Sequence, residues 1–288
     1  MKTAVVIHNP ASGTSVPEAA IRTAFGDSGH LLHFVNIADG QNEIEKMIKD
    51  YNAHIVIAAG GDGTVNCAAN ICVSLYLPLG VLPVGTLNHF AKDMNLPIKL
   101  TEAAALIQKG KMTTVDYGSV TGHVFVNNSS IGIYPASVLK REQLQSKIGK
   151  WPSAVIAMFG TITKLSTTHL RIQYDSTDVT FKTPLLFVGN NSYNFDKVGF
   201  VNRKSLTAGD LYLYIVRANR VSAFIRLVVS MVFGKRPASH DFIAHPKNTL
   251  TVNSRKNILD VAVDGEILTL QPPLKYELYA QRLKVFAD

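Results

Sequence analysis

The first part of the chain, up to Leu82, alternates between apolar segments and amphipathic segments. Strands are predicted at Thr3–His8, Leu31–Ile37, His54–Ala59 and Leu79–Leu82, and helices at Glu18–Phe25, Glu43–Tyr51 and Val65–Leu75. Continuously apolar strands indicate burial on both faces, and strands separated by helices pair in parallel. The alternation therefore predicts an α/β domain, a parallel sheet with helices on both faces. In such sheets, ligands bind beyond the carboxyl ends of the strands.

From about Thr113 onward, the pattern changes to short β-rich segments, many of which alternate between polar and apolar residues. They are Val115–Val120, Val124–Asn127, Leu170–Tyr174, Val179–Lys182, Leu185–Gly189, Leu211–Val216, Thr249–Val252 and Leu259–Val263. This texture predicts a mostly antiparallel second domain, which two helical segments, Ser137–Leu165 and Ser222–Phe233, interrupt. We expect domains at 1–118 and 119–288, with a final stretch of roughly 15 residues packing back on the first domain.

The charge balance is basic, with 29 Lys and Arg against 21 Asp and Glu and a formal net charge of +8. Such an excess attracts polyanions, whether nucleic acid, an anionic membrane or a phosphorylated substrate. The positive residues form no dense run, and the aromatic-interleaved signatures of nucleic-acid modules are missing. Nucleic acid is therefore not an expected partner.

Cys67 and Cys72 are the two cysteines of the chain and lie in one predicted helix. They make neither a disulfide framework nor a zinc site, which is typical of a reducing cytosol. No uncharged apolar stretch approaches the ~18 residues that a membrane span needs, and the apolar run at the N-terminus is far short of a signal peptide. We expect a soluble, cytoplasmic protein that does not cross a membrane.

The sharpest local feature is Gly60-Gly61-Asp62-Gly63-Thr64, between a buried strand and a helix. Glycines allow positive φ and let a ligand approach the main chain closely. The N-terminus of the next helix directs amide groups and a partial positive charge to the same spot, which favours phosphate. Thr64 is expected either to cap that helix or to bind a phosphate oxygen.

Asp62 admits two interpretations, and the local pattern does not decide between them. A carboxylate close to a phosphate is repelled unless Mg²⁺ lies between the two groups. Alternatively, the motif is a tight strand–helix turn in which Asp62 is only a cap. Two familiar nucleotide motifs are absent, because the chain has no Walker loop and Gly61-x-Gly63-x-x-Asn66 lacks the third glycine of the dinucleotide fingerprint.

Four motifs in register resemble the diacylglycerol kinase catalytic-domain family, which includes bacterial soluble lipid kinases and the sphingosine and ceramide kinases. They are Asn9-Pro10-x-Ser12-Gly13, Gly60-Gly61-Asp62-Gly63-Thr64-Val65-Asn66, Gly85-Thr86-Leu87-Asn88-His89-Phe90-Ala91 and Val263-Asp264-Gly265-Glu266. The resemblance spans essentially the whole chain. It implies an α/β nucleotide-binding domain, a β-sandwich-like lipid-substrate domain, and an active site in the cleft between them.

The family's chemistry is transfer of the γ-phosphoryl group of ATP, with Mg²⁺, to a lipid hydroxyl. The resemblance implies Glu266, with Asp264 beside it, as the base that accepts the hydroxyl proton, and we also count Asp62 as catalytic and as the candidate Mg²⁺ ligand. In phosphoryl transfer, positioning and charge stabilisation do most of the work. The nucleotide-binding residues implied in this way are Asn9, Ser12, Gly60, Gly61, Asp62, Gly63, Thr64, Asn66, Gly85, Thr86 and Asn88.

Two features keep a purely structural interpretation open. Asp264-Gly265 lies between apolar runs, where Asp-Gly is a favoured hairpin turn, although a hairpin tip can also hold a carboxylate over a cleft. The amide pairs Asn127-Asn128 and Asn190-Asn191, near strand ends, are either turn residues or part of the cleft lining.

The chain departs from the family pattern at four positions. Cys67 stands where many members have Glu, His89 replaces a common Asp, and Thr14 replaces a frequent Lys or Arg. Ala208 stands where some members have an Asp that binds a structural Mg²⁺, so the side-chain ligand is missing. These changes weaken the expectation of tight ATP binding and of a structural metal.

The expected partner is a lipid substrate at a membrane surface. The apolar segment Ser222–Phe233 is followed by Lys235-Arg236, a pattern that suits peripheral contact with headgroups, although burial of the helix against the second domain's sheet is the favoured explanation. Two other functions stay open: a catalytically weak lipid-binding or regulatory member of the same fold, and a small-molecule kinase such as an NAD kinase. The sequence names neither the lipid nor the oligomeric state, and a homodimer stays open.

Overall fold

A computed structural model describes residues 2–10, 15–27, 29–132, 167–194, 202–203, 205–216 and 242–288. The chain divides into two compact units, the first formed by Met1–Tyr117 with Ala280–Asp288 and the second by Gly118–Tyr279. The predicted helices Ser137–Leu165 and Ser222–Phe233 lie outside the described residues. Within those ranges, no helix is both long and apolar enough to cross a bilayer.

The first unit alternates strands and helices as predicted. Its elements are β1 (Lys2–His8), α1 (Glu18–Phe25), β2 (His30–Asn36), a 3-10 turn (Ile37–Asp39), α2 (Gln41–Asp50), β3 (Ile55–Gly60), α3 (Asp62–Leu75), β4 (Leu79–Pro83), α4 (His89–Asp93) and α5 (Leu100–Lys109). The strands β1 to β4 pair in parallel in the order β2-β1-β3-β4. The predicted α/β class of this half is confirmed. The helices α4 and α5 had not been predicted.

Helices cover both faces of this parallel sheet. On one face, Val6 and Ile57 pack in a common core with Ile21 of α1 and Ile107 of α5. The intervening strand residues, such as Val56, are equally buried, and α3 packs against β1 and β3. Burial of both side-chain sets explains why these strands are apolar throughout rather than alternating.

The second unit consists of strands in its described part. In chain order they are β5 (Met112–Val120), β6 (His123–Phe125), β7 (Asn128–Gly132), β8 (Thr168–Tyr174), β9 (Thr177–Thr183), β10 (Leu185–Asn190), β11 (Tyr193–Asn194), β12 (Asn202–Arg203), β13 (Leu211–Val216), β14 (Phe242–Lys247), β15 (Thr249–Ser254), β16 (Leu259–Val263), β17 (Glu266–Leu270) and β18 (Leu274–Phe286). Strands β5 and β18 each cross the boundary between the units, and the end of β18 runs parallel to β4.

Two antiparallel arrays build the second unit. One has the order β14-β13-β10-β7-β16-β17, and in the other β18, β15, β8 and β9 are successive neighbours. Side chains of both arrays enter one core, in which Ile131 and Val261 from the first array join Ile172 and Leu250 from the second. The predicted antiparallel class of the second half is thereby confirmed.

Candidate active site

Three of the four motifs follow strands of the parallel sheet at the same edge. His8 pairs with Ala59, and Gly60 pairs with Pro83, so β1, β3 and β4 end side by side. Asn9 follows β1 directly and is half-buried, whereas Ser12 and Thr14 lie outside the described residues. The sheet therefore brings the beginning of the first motif, the glycine loop and the Gly85–Asn88 loop to its carboxyl edge.

Helix α3 begins three positions earlier than predicted, at Asp62 rather than at Val65. Its first hydrogen bond runs from the amide of Val65 to the carbonyl of Gly61, at 3.0 Å. The amides of Asp62, Gly63 and Thr64 consequently lie in the first turn, where the helix supplies no acceptor for them. These groups and the helix dipole form the kind of site that binds a phosphate.

Thr64 and Asp62 do not cap α3, which corrects both capping interpretations. The N-cap residue is Gly61, without a side-chain hydrogen bond. Thr64 is buried and packs so closely on the strand end that a Cβ at Gly60 would lie 2.2 Å from Thr64 Oγ1. The glycine at position 60 thus serves close packing, and none of the loop's three glycines has positive φ.

The Gly85–Asn88 loop lies directly against the glycine loop. A Cβ at Gly85 would lie 2.2 Å from Gly61 Cα, so only glycine fits there. The buried Asn88 holds a left-handed conformation, and its Nδ2 donates to the carbonyls of Pro83 and Gly85 at 3.0 and 2.8 Å. Thr86, by contrast, is exposed. This loop is shaped by its own backbone contacts and leaves Thr86 accessible.

Asp62 ties the two loops together. Its Oδ1 accepts a hydrogen bond from the amide of Phe90 in α4, at 3.2 Å. Its Oδ2 accepts no hydrogen bond from the part of the chain that the structure describes. That part also lacks any group of three His, Cys, Asp or Glu residues able to hold a metal. Asp62 fits a Mg²⁺ ion that takes most of its ligands from phosphate and water, as Mg²⁺ commonly does.

Asn66, the last residue of the glycine motif, lies in the second turn of α3 and is buried. Its Oδ1 accepts from Nδ2 of Asn70 at 3.2 Å, and its carbonyl accepts from the same group at 2.9 Å. Cys67 is half-buried one position later, and His89 is exposed at the start of α4. The Asn66 side chain is engaged within its own helix.

In the second unit, Asp264 and Gly265 form the turn of the β16–β17 hairpin. Both have positive φ, 48° and 93°, the turn geometry that two-residue hairpin loops favour. Val263 and Glu266 are the last pair of the ladder. The hairpin interpretation of the Asp-Gly motif is therefore confirmed, and it brings Asp264 and Glu266 together at the hairpin's end.

The carboxylate of Asp264 is fully engaged by backbone amides. Oδ2 accepts from Val126 at 2.8 Å, and Oδ1 accepts from Asn127 at 2.9 Å and from Asn128 at 2.8 Å. The Asp264 amide donates in return to the carbonyl of Asn128 at 2.9 Å. Residues 126–128 therefore hold the turn in place; we call them the β6–β7 loop, although Asn128 is also the first residue of β7. Sequence analysis had extended the preceding strand through Asn127, and the structure ends it at Phe125.

The side chains of both predicted amide pairs bond within the protein: Asn190 and Asn191 bond to the backbone, whereas Asn127 and Asn128 bond to the side chains of Arg203 and Tyr193. Asn190 Nδ2 donates to the carbonyl of Val126 at 2.9 Å, and the Tyr193 hydroxyl donates to the carbonyl of Asn127 at 2.9 Å. Asn191 Oδ1 accepts from the amide of Asp210 at 3.3 Å. These contacts favour the structural interpretation. Sequence analysis missed the buried Arg203, which also contacts the β6–β7 loop and carries no motif.

Glu266 differs from Asp264 in its surroundings. It reaches solvent, yet nearby protein removes enough water to raise the pKa of its carboxyl above the ordinary value, and the charge of Asp264 raises it further. The first cause is loss of hydration, and the second is repulsion between like charges. An exposed carboxylate with a raised pKa is a candidate proton acceptor.

Comparisons with known proteins bear on the family to which the chain is similar. Residues 3–120 match the model of the diacylglycerol kinase catalytic domain. A protein of Staphylococcus aureus strain Newman named diacylglycerol kinase is 28% identical over 278 residues, which cover 92% of this chain and 86% of that protein. The corresponding protein of strain USA300 gives the same values.

Solved structures share the fold. A Bacillus anthracis str. Sterne crystal structure, described as that of a diacylglycerol kinase, aligns with a TM-score of 0.68 at 20% identity and covers 100% of this chain and 97% of that chain. Two further structures from the same strain align over the same shares with TM-scores of 0.74 and 0.71, at 22% and 24% identity. The resemblance to the diacylglycerol kinase catalytic domain family is thus confirmed, because residues 3–120 match the family's model and proteins named diacylglycerol kinases align with 92% of the chain.

Proposed function

We propose that this protein is an ATP-dependent lipid kinase that transfers the γ-phosphoryl group of ATP to a lipid hydroxyl. The family match over residues 3–120 and the kinases that align with 92% of the chain support a kinase. The net charge of +8 supports work at an anionic membrane surface, where such a substrate lies.

The first unit binds the nucleotide in this proposal. The first-turn amides of Asp62, Gly63 and Thr64 hold phosphate oxygens, and the abutting Gly85 loop fixes their direction. Asp62 Oδ2 would contact the metal ion in this proposal, while Oδ1 accepts from the Phe90 amide. A bound Mg²⁺ would neutralise charge that develops on the transferred group.

The second unit supplies the base. Glu266 accepts the proton of the lipid hydroxyl while the hydroxyl oxygen forms its bond to the γ-phosphorus and the bond to the bridging oxygen breaks, which releases ADP. A raised pKa makes Glu266 a stronger proton acceptor than an ordinary carboxylate. Asp264 takes no part in proton transfer, because backbone amides occupy both of its oxygens.

The observation that carries the proposal is this division between two neighbouring carboxylates. One is committed to the fold by three hydrogen bonds, and the other is exposed with a raised pKa. Environments that separate two acidic groups in this way are typical of acid–base sites.

The test is phosphorylation of lipids by the purified full chain with γ-labelled ATP and Mg²⁺. Substrates are a total lipid extract and vesicles that contain single lipids with free hydroxyls, and labelled products are identified by mass. Glu266→Gln should lower the rate of labelling by roughly 10²–10⁴-fold, and Asp62→Ala should abolish labelling. Asp260→Asn is the matched control, because Asp260 lies on the same hairpin and accepts from Thr269 Oγ1 at 3.1 Å. It should leave labelling unchanged.

Other outcomes identify the alternatives. Binding of lipid without ATP turnover by the intact chain indicates a regulatory lipid-binding protein. Conversion of NAD to NADP in the same assay indicates a small-molecule kinase. Turnover at the wild-type rate in Glu266→Gln contradicts the proposed base.

A further inference from the structure

Arg203 is a buried cation to which the proposed reaction assigns no task. It is 8% exposed and lies on β12. Its Nη1 donates to the carbonyl oxygen of Val126, and its Nη2 donates to Oδ1 of Asn127 at 3.2 Å. Both acceptors belong to the β6–β7 loop. Burying a guanidinium is costly unless hydrogen bonds compensate for the lost water, so these contacts give the loop a strong, charge-assisted anchor.

The β6–β7 loop also binds Asp264, on the side opposite to Arg203. The carbonyl of Val126 and the amide of Asn127 belong to one peptide group, and in a trans peptide they point in opposite directions. The carbonyl end accepts from Arg203, and the amide end donates to Asp264 Oδ1 at 2.9 Å. One peptide group therefore bridges a guanidinium and a carboxylate.

The charges on both sides favour this orientation of the peptide. A cation at the carbonyl oxygen and an anion at the amide hydrogen each stabilise the peptide dipole, and hydrogen bonds in such a chain strengthen one another. Asn190 Nδ2 adds a neutral donor to the same carbonyl at 2.9 Å. Arg203 is distinct because its rigid planar fork also reaches the Asn127 side chain from a second nitrogen, whereas a lysine ammonium presents all of its donors from one nitrogen.

We propose that Arg203 is a positioning residue for Glu266, acting through the Val126–Asn127 peptide and the Asp264 turn. The guanidinium orients the peptide, the peptide and its neighbours hold Asp264, and Asp264 fixes the turn two positions before Glu266. Arg203 itself touches no substrate in this scheme. The catalytic consequence rests on the proposed kinase reaction, whereas the structural link does not.

The test compares Arg203→Met and Arg203→Lys with the wild-type chain. Arg171→Met is the control, because Arg171 is an exposed arginine of the same unit that pairs with Asp178 on the surface. Amide hydrogen exchange of Val126, Asn127 and Asn128 is followed by NMR. The amide of Val188 in β10 serves as the internal reference for global stability.

In Arg203→Met, the three loop amides should exchange about tenfold faster or more, the factor expected from loss of a charge-assisted hydrogen bond. The reference amide should change little. Arg203→Lys should fall between, because it keeps the charge and loses the fork; it also covers the case in which Arg203→Met does not fold. Unchanged exchange at 126–128 in the folded variants overturns the inference, whatever the enzymatic activity.

Two further measurements separate positioning from a general loss of structure. The ¹³C-detected titration of the Glu266 carboxyl should move toward the ordinary glutamate value, because a loosened turn admits water. With a lipid substrate, kcat should fall roughly 10- to 100-fold while KM for ATP stays unchanged, since the nucleotide contacts lie on the other unit. The inference is also overturned if the loop amides exchange faster while the titration of Glu266 and kcat both stay at their wild-type values. Absence of kinase activity in the wild-type chain rejects the proposed function, and the exchange and titration results still decide the role of Arg203.

Discussion

The carboxylate of Asp62 accepts a hydrogen bond from the backbone amide of Phe90, with 3.2 Å between Oδ1 and N. Asp62 begins α3 and Phe90 lies in α4, the helices that follow the neighbouring strands β3 and β4. This contact, and the packing of Gly85 on Gly61, make the two loops a single structural element. Asp62 thereby has two separable tasks, because one oxygen holds α4 and the other is available to a metal-bound phosphate.

Asp62→Asn and Asp62→Ala separate these tasks. Asparagine keeps an acceptor for the Phe90 amide and loses the charge, whereas alanine loses both. We expect Asp62→Ala to lower the free energy of unfolding by about 1 kcal/mol and Asp62→Asn by clearly less. Both should remove kinase activity. Thermal unfolding and Mg²⁺ titration of ATP turnover check this, and an active Asp62→Asn enzyme contradicts a metal role.

Gly85→Ala and Gly61→Ala test the contact between the loops. An added Cβ at position 85 would lie 2.2 Å from Gly61 Cα, whereas one at position 61 would meet Gly85 Cα at an ordinary 3.4 Å. Gly85→Ala should destabilise the protein by about 1–3 kcal/mol, as overpacking does. Gly61→Ala should lower the free energy of unfolding by much less. Urea unfolding measures both, and equal losses contradict the close approach.

The sequence predicted the alternating first half well because those strands are buried on both faces and their helices are amphipathic. It misplaced the start of α3, because Gly63 has a low intrinsic helix propensity and only the packing of Thr64 on Gly60 reveals the true start. It also missed β7. That strand begins with the polar residues Asn128-Ser129-Ser130, which do not indicate a buried strand. In the core, Ser129 Oγ lies 3.2 Å from the Tyr276 hydroxyl, a contact that compensates for the burial of Ser129.

The candidate site was likewise predictable from the sequence only in part. The Asp264-Gly265 turn has a local signature, and the structure contains it. The amides that hold the Asp264 carboxylate come from residues more than a hundred positions earlier, and backbone donors carry no residue-type signal. Arg203 is hidden for a related reason, because one partner is a backbone carbonyl and its two partners lie 77 and 76 positions earlier in the chain. Contacts between distant backbone groups become visible only in the folded chain.

The raised pKa of Glu266 predicts a pH dependence of catalysis. Its ionised form is the base, so activity should fall as pH drops through a pKa above the ordinary value near 4.3. Glu266→Gln should lower kcat by roughly 10²–10⁴-fold and remove this acidic limb. The pH profile of kcat at saturating ATP checks both. An acidic limb retained in Glu266→Gln assigns the titration to another group.

The stability of the folded protein should also depend on the ionisation of Glu266, and the raised pKa gives the direction of this dependence. Because folding raises the pKa of Glu266, the ionised side chain disfavours the folded state above the ordinary glutamate pKa. Glu266→Gln should therefore be at least as stable as wild type at neutral pH. The difference should disappear as pH falls below the ordinary value, about 4.3, where both states bind the proton. Thermal unfolding from acidic to neutral pH measures it.

Asp264 should matter for stability more than its position at a turn suggests. Asparagine tolerates the positive φ of this site, so Asp264→Asn isolates the hydrogen bonds from backbone strain. The NH₂ group of asparagine must face at least one backbone N–H from which the carboxylate oxygen had accepted a hydrogen bond. We therefore expect the free energy of unfolding to fall by about 1–3 kcal/mol. Asp175→Asn is the matched control, because Asp175 is an exposed hairpin residue with a φ of 47°. It should change the urea midpoint little, and a similar effect of both substitutions means that the clamp by residues 126–128 contributes nothing measurable.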